Sequence, residues 1–316
     1  MKTKLVFTLA ICCLLAINIF AQDKQLTLAD PSILEKDGTF YLYGTHSPDG
    51  IIVYKSSDLK EWEGPCGATD GLALHKNDSW GDRWFWAPEV YYINGKYAMV
   101  YSVDEHISIA FSDSPTGPFK QDIKKTYLEE KGIDNHIFID DDGTPYIYWV
   151  RFDDGNVIWM AELSKDLKTI KPNTITFCLR SEKGTWEWTP SEPSASIAEG
   201  PFVLKHNGKY YLTYSCNHYQ SPDYAVGFAT ADSPRGPWKR SESNPILNNH
   251  MGAKGTGHHA LLTTSKGDNY IIYHSHFSNE KVGPRRTYIA PYNFEKNNKG
   301  ETIIKVSDKV IIPYLK

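Results

Sequence analysis

Cysteine is scarce in this chain, at five of 316 residues. Cys12 and Cys13 fall inside an early apolar stretch, leaving Cys66, Cys178 and Cys216, an odd number that excludes a framework with every thiol paired within the chain. Positive charge is not in excess either. Lys and Arg total 34 against 38 Asp and Glu, with no basic run after the first residues, which argues against a nucleic-acid partner. No Gly-x-Ser-x-Gly elbow is present, so acyl transfer has no nucleophile. The glycine-rich segment from Met251 to Gly257 lacks the lysine and Ser/Thr placement of a phosphate loop and opens no amphipathic helix. Long hydrophobic runs are confined to one, Leu5 to Phe20. It follows Lys2 and Lys4 and ends at Ala21 before Gln22-Asp23-Lys24, the layout of a secretory signal peptide over residues 1–21. Its cysteines lie within the run rather than after it, which argues against a lipid anchor. Cleavage after Ala21 removes two lysines and leaves 32 basic against 38 acidic residues, a net charge of −6. We expect a periplasmic or secreted protein with no membrane attachment after cleavage, better suited to neutral sugars than to anionic polymers.

What the chain has is tyrosine, 20 residues, tryptophan, nine, and a phrase that recurs five times. A turn glycine beside Asn, Asp or Lys is followed by a run of tyrosine and branched residues, as in DGTFYLY from Asp37 and NGKYYLTY from Asn207. The glycines, Gly38, Gly95, Gly143, Gly208 and Gly267, are 57, 48, 65 and 59 residues apart. That interval is too long for a helical solenoid and suits a propeller blade of about 40 to 50 residues with loop insertions. Each phrase reads as a β-hairpin. A second element, in SSDLKEWEG, FSDSPTGPFK, LSKDLKT and TADSPRGPWK, follows the hairpins and reads as the connection closing the outer part of a blade. Isolated hairpins are marginal in water. Five of them bury their apolar faces by packing radially, so the expected fold is an all-β, five-bladed β-propeller over residues 22–316, with no linker and no second domain. We expect it to be a monomer.

In a propeller the strand that opens each blade lines the central axis. Nine residues before Gly95, Gly143, Gly208 and Gly267 stand Trp86, Asp134, Glu199 and His258, and eight before Gly38 stands Asp30. Three carboxylates, a histidine and a tryptophan are therefore expected around one opening. Glycoside hydrolysis needs one carboxylic acid to protonate the leaving oxygen and a second carboxylate on the anomeric side; an inverting enzyme leaves room for water between them, roughly 6.5 to 9.5 Å. A third carboxylate nearby can raise the acid by like-charge repulsion.

At these residues the sequence resembles glycoside hydrolase family 43, five-bladed propeller enzymes acting on arabinose- and xylose-containing plant polysaccharides. The resemblance covers nearly the whole chain after residue 21. It implies Asp30 in LADPSI as the general base, Asp134 in GIDNHIFID as the tuner of pKa and orientation, and Glu199 in AEGPFVLK as the general acid. It further implies a Trp86-Ala87-Pro88 motif backed by Glu89 and a late arginine near the tuner, Arg285 ahead of Arg286, with Trp86, Glu89 and Arg285 binding substrate. His258 in GTGHHALL would face the axial channel as ligand to a bound calcium or a water cluster, although the chemistry itself requires no cofactor. The activity implied is release of arabinose or xylose, with α-L-arabinofuranosidase ahead of β-xylosidase and of endo-acting arabinanase or xylanase. A fructan hydrolase would carry Asn-Asp-Pro-Asn where this chain has Ala29-Asp30-Pro31-Ser32. A non-catalytic sugar-binding propeller is the rival of another class, and it has no need of three carboxylates in register.

Several other residues have quieter readings. Trp86 can stack on a sugar or plug the space between blades. Asp140, Asp141 and Asp142 lack the alternating spacing of a calcium loop and read as solvated turn residues. His274 and His276 share a strand face without the third ligand of a zinc site, and His259 is expected to point away from the axis. The stretch from Lys171 to Pro193, inside the longest interval, reads as a loop beside the opening.

Overall fold

The fold begins at the turns. Lys36 pairs with Thr39 across Asp37-Gly38, Ile93 with Lys96 across Asn94-Gly95, and His206 with Lys209 across Asn207-Gly208. Both residues of each turn have positive φ, 51° and 77° at Asp37 and Gly38, the backbone that Asn-Gly and Asp-Gly adopt most readily in two-residue hairpins. In the third and fifth hairpins the turn is one residue longer: the Asp140 N–H donates to the Thr144 carbonyl at 3.0 Å and the Thr264 N–H to the Asp268 carbonyl at 2.8 Å.

A computed structural model describes residues 25–316 of the chain; the expected signal peptide, 1–21, lies outside the described residues. The described chain is a five-bladed β-propeller whose helical content is three short 3-10 turns. Blade 1 comprises Ala29–Lys36, Thr39–Ser47, Gly50–Ser56 and Leu72–His75. Blade 2 comprises Trp86–Ile93, Lys96–Val103 and His106–Ser112. Blade 3 runs from Gly132–Ile139 through Pro145–Phe152 and Asn156–Glu162 to Thr176–Arg180, and blade 4 from Ala198–His206 through Lys209–Cys216 and Ala225–Ala231 to Lys239–Arg240. Blade 5 comprises Gly257–Thr263, Asn269–Ser275, Arg286–Lys296 and Thr302–Val306. The second repeated element forms the turn from the third strand to the blade's outer edge, as where Thr230 pairs with Lys239.

The middle strands are apolar on both faces because each faces two neighbouring blades. In Lys209–Cys216, Leu212 and Tyr214 pack toward blade 3, while Tyr211, just before them, packs toward blade 5. In Lys96–Val103, Met99 packs toward blade 1, and Ala98 and Val100 toward blade 3. The apolar interior is thus five separate cores, one in each gap between adjacent blades. The seam between blades 5 and 1 is closed by both ends of the described chain. Tyr314–Leu315 pairs in parallel with Glu61–Trp62, and the Leu26 N–H donates to the Pro313 carbonyl at 2.9 Å. Cys66, Cys178 and Cys216 are all free.

Candidate active site

Each innermost strand carries a register irregularity at the same depth. At that point one residue per blade takes a left-handed backbone: Asp30 (φ 50°), Ala87 (46°), Asp134 (57°), Gly200 (54°) and His258 (43°). Counting back from the turn glycines therefore misplaces two residues by one step. The turns of blades 3 and 5 are a residue longer than the rest, so Glu199 and Trp86 precede their bulge residue, whereas Asp30, Asp134 and His258 occupy it. Non-glycine residues held at positive φ are costly and concentrate where a side chain must be aimed.

The bulges are held by a ring of bonds running from blade to blade. The second strand of each blade offers a side chain to the bulge N–H of the next: Thr45 Oγ1 accepts from Ala87 (3.0 Å), Ser102 Oγ from Asp134 (2.9 Å), Ser215 Oγ from His258 (2.9 Å) and His274 Nδ1 from Asp30 (3.2 Å). Blade 3 has Val150 at the matching place, opposite Ile133, and valine accepts nothing. The Gly200 N–H is taken instead by Asp134 Oδ2 at 3.1 Å, which ties the blade 3 carboxylate to the residue following Glu199.

Asp30, Asp134 and Glu199 are all buried and share the wall of one cavity of about 380 Å³ with Trp86, Asn156, Tyr219, His258 and Arg285. Burial pushes Asp30 up, but the Arg285 guanidinium, 2.9 Å from Oδ1, outweighs it with help from His258, His274 and a hydrogen bond from Thr45. Its carboxyl is held well below the usual carboxylate range. For Asp134 burial prevails, with Glu199 and Asp30 adding like-charge repulsion, and the group rises to about 7 although His258 and the Gly200 N–H oppose this. His258 Nδ1 stands 3.4 Å from Asp30 Oδ1 and 3.9 Å from Asp134 Oδ2. Burial lowers its pKa, yet the three carboxylates together pull it upward. Both oxygens of Glu199 are engaged, Oε1 by the Tyr224 hydroxyl at 2.8 Å and Oε2 by Asn156 Nδ2 at 2.7 Å. One carboxylate fixed as an ion, one near neutrality and a third facing the cavity amid donors can act as acid and base on opposite sides of a bound ring.

Other expectations are corrected. Arg285 pairs with Asp30, not with Asp134, and its guanidinium lies 4.8 Å over the Tyr219 ring. Glu89 is absent from the cavity wall: the strand turns its carboxylate to the Tyr91 hydroxyl and to His136 Nδ1, 2.9 Å away, toward the neighbouring blade. His258 faces Asp30 and Asp134. Among the described residues no group of three or more His, Cys, Asp and Glu is arranged to hold a metal ion. Calcium wants six to eight oxygens; Asp30 and Asp134 bring four carboxylate oxygens, of which Arg285 bonds one and the Gly200 N–H another, so these residues alone do not complete its shell. Below the carboxylates the axis narrows to a space of about 10 Å³, room for roughly one water. His259 is among the residues around that space, and its Nε2 bonds Thr213 Oγ1 of blade 4's second strand at 2.6 Å. His274 bonds the Asp30 backbone, and His276 the Tyr219 carbonyl. Asp140 is tied to Lys205 and Tyr210 of blade 4; Asp141 and Asp142 are exposed, Asp141 also meeting Lys205. No residue of the Lys171–Pro193 stretch lines the cavity. Thr176–Arg180 is the outer strand of blade 3, and Trp186 and Thr189 bond Asn217, which begins the loop carrying Tyr219 and Tyr224.

The second-strand positions had a signal in the sequence: the four acceptors Thr45, Ser102, Ser215 and His274, and Val150 in their place in blade 3, each lie seven residues past a turn glycine. Asn156 and Tyr224 follow no such period.

A family model for glycosyl hydrolases family 43 matches residues 24–299. Among solved structures, an endo-1,4-β-xylanase from Bacteroides thetaiotaomicron is 41% identical, covering 92% of this chain and 98% of its own, with a TM-score of 0.83. A thermostable family-43 glycoside hydrolase is 36% identical over 91% of this chain and 95% of its own, TM-score 0.79. Among sequences, the β-xylosidase of Xylanibacter ruminicola is 24% identical, covering 87% of this chain and 96% of that protein. The β-D-galactofuranosidase xynD of Aspergillus niger is 27% identical, covering 82% and 76%.

Proposed function

The chain belongs to glycosyl hydrolases family 43 and is a glycoside hydrolase; we propose that it works with inversion and releases arabinose or xylose from plant-derived glycans outside the cytoplasm, α-L-arabinofuranosidase being the favoured specificity. The observation carrying this reading is the convergence of Asp30, Asp134 and Glu199, from three blades, on one cavity. Asp30, kept ionised by Arg285, takes a proton from water as the water oxygen bonds to the anomeric carbon. Glu199 gives its proton to the glycosidic oxygen, which leaves with the electron pair of the breaking C–O bond. Asp134 orients the acid through Gly200 and, where it ionises above about pH 7, adds negative charge beside it. Trp86 offers the sugar an aromatic edge of the wall. At about 380 Å³ the cavity lies near the small end of ligand sites, roughly 300 to 1,000 Å³, which favours a terminal sugar over a run of polymer. The name carried by the 41% identical structure favours a second reading, cleavage within a xylan chain.

Hydrolysis of a panel of aryl arabinofuranosides, aryl xylosides and plant oligosaccharides tests this, with wild type beside Asp30→Ala and Glu199→Gln. Arabinose or xylose release that falls at least about a thousandfold in Asp30→Ala supports the mechanism. Oligomer products from xylan favour the second reading. Glycan binding without hydrolysis by wild type would overturn both.

A further inference from the structure

Glu199 is the only one of the three carboxylates with each oxygen held by a different neutral donor, and the two donors come from opposite sides. Asn156 stands at the hairpin end of blade 3 and lines the cavity, so Oε2 is the oxygen on the substrate's side. Tyr224 is fully buried and absent from the cavity wall, and its hydroxyl reaches Oε1 from behind. Its ring lies parallel to His274, centroids 5.6 Å apart, and His274 in turn bonds the Asp30 N–H. Gly257 makes room for that ring: a Cβ at 257 would stand 2.4 Å from it. A phenol packed this tightly has little freedom to move its oxygen.

We infer that Tyr224, with Asn156, is a positioning residue for proton delivery, fixing the proton of Glu199 on Oε2; this rests on the reading of Glu199 as the general acid. While the acid is protonated, the Tyr224 O–H donates to Oε1 from the buried side, and the proton sits on the cavity-side Oε2, whose remaining lone pair still accepts from Asn156. When the proton passes to the glycosidic oxygen, the electron pair of the broken O–H bond stays on the carboxylate. Both donors then bond an anion instead of a neutral acid, and such bonds are about twice as strong. Their help grows with the negative charge on the leaving oxygen that protonation must relieve.

The test compares two substrates sharing one sugar, an oligosaccharide and a dinitrophenyl glycoside whose leaving group needs no proton, on wild type, Tyr224→Phe, Asn156→Ala and Glu199→Gln. Tyr224→Phe should lose about ten- to a hundredfold in kcat on the oligosaccharide and far less on the dinitrophenyl glycoside, with KM little changed. Asn156→Ala, at a partly exposed site, should repeat the pattern and keeps the test open if the buried variant does not fold. Equal losses on both substrates, or no loss, overturn the inference. If Glu199→Gln itself shows no dependence on leaving group, the acid assignment fails first and takes this inference with it.

Discussion

Asp134 and Asp30 stand close to the same histidine and yet are driven in opposite directions. Arg285 faces Asp30 at 2.9 Å and nothing cationic but His258 faces Asp134, so burial is overcome at one and not at the other. The consequence for stability has opposite signs. Asp30 is depressed, so it strengthens the fold above the usual carboxylate range and that contribution fades as pH falls through its folded value. Asp134 is raised from 3.8 to about 7, so between those values the unfolded chain ionises while the folded chain keeps its proton, and stability falls as pH rises. Asp134→Asn should be more stable than wild type at pH 8 by up to about 4 kcal/mol, and no different below about pH 4. Denaturant midpoints at the two pH values check this; equal stability at pH 8 would show that the buried charge is compensated in some other way. The same variant should lose activity, as expected of a residue kept for function at a cost to stability.

At the scale of the strand, the bulge decides which residues meet. The left-handed slot is filled by whatever each blade needs there: aspartate in blades 1 and 3, histidine in blade 5, and alanine and glycine in blades 2 and 4. Ala87 and Gly200 give an opposed pair of predictions. Ala87→Gly relieves a non-glycine residue at φ 46° and should stabilise by about 1 kcal/mol. Gly200→Ala introduces the same strain at φ 54°, with its Cβ in ordinary contact, 3.5 Å, with the His258 ring, and should destabilise by about 1 kcal/mol. Thermal melts of the two variants check the signs, and a destabilised Ala87→Gly would mean that strain is not what the slot stores. This slot also marks where the sequence was legible and where it was not. Hairpin glycines announce themselves by residue type, so the five blades and the three carboxylates could be read from spacing. Turn length leaves no mark of its own, so the one-residue offset of Glu199 and Trp86 could not. Arg285 was legible only as a nearby cation, because its choice of Asp30 over Asp134 depends on how the loop before blade 5's third strand folds back. Tyr224 and Asn156 reach Glu199 from a loop and a hairpin end, outside any repeat.

On the scale of the whole molecule, the five apolar cores between blades make each blade depend on two neighbours, and the seam between the first and last is sealed by both ends of the described chain. Such a ring repeats one set of contacts five times, and the bonds to the bulge N–H groups follow that repetition in four of five places. The fifth fails at Val150. A symmetric ring would hold its bulges equally well with a hydroxyl there, but Asp134 would then have no backbone amide to claim and nothing to bind it to the blade that bears Glu199. Val150→Thr, which exchanges a methyl for an oxygen at nearly constant volume, should draw the Gly200 N–H away from Asp134 and reduce turnover at least about tenfold in a protein that still folds. Unchanged kcat in this variant would show that the amide was incidental. Chemistry sits where the repetition lapses, and one missing acceptor turns a bond that elsewhere only holds the ring together into one that aims a carboxylate.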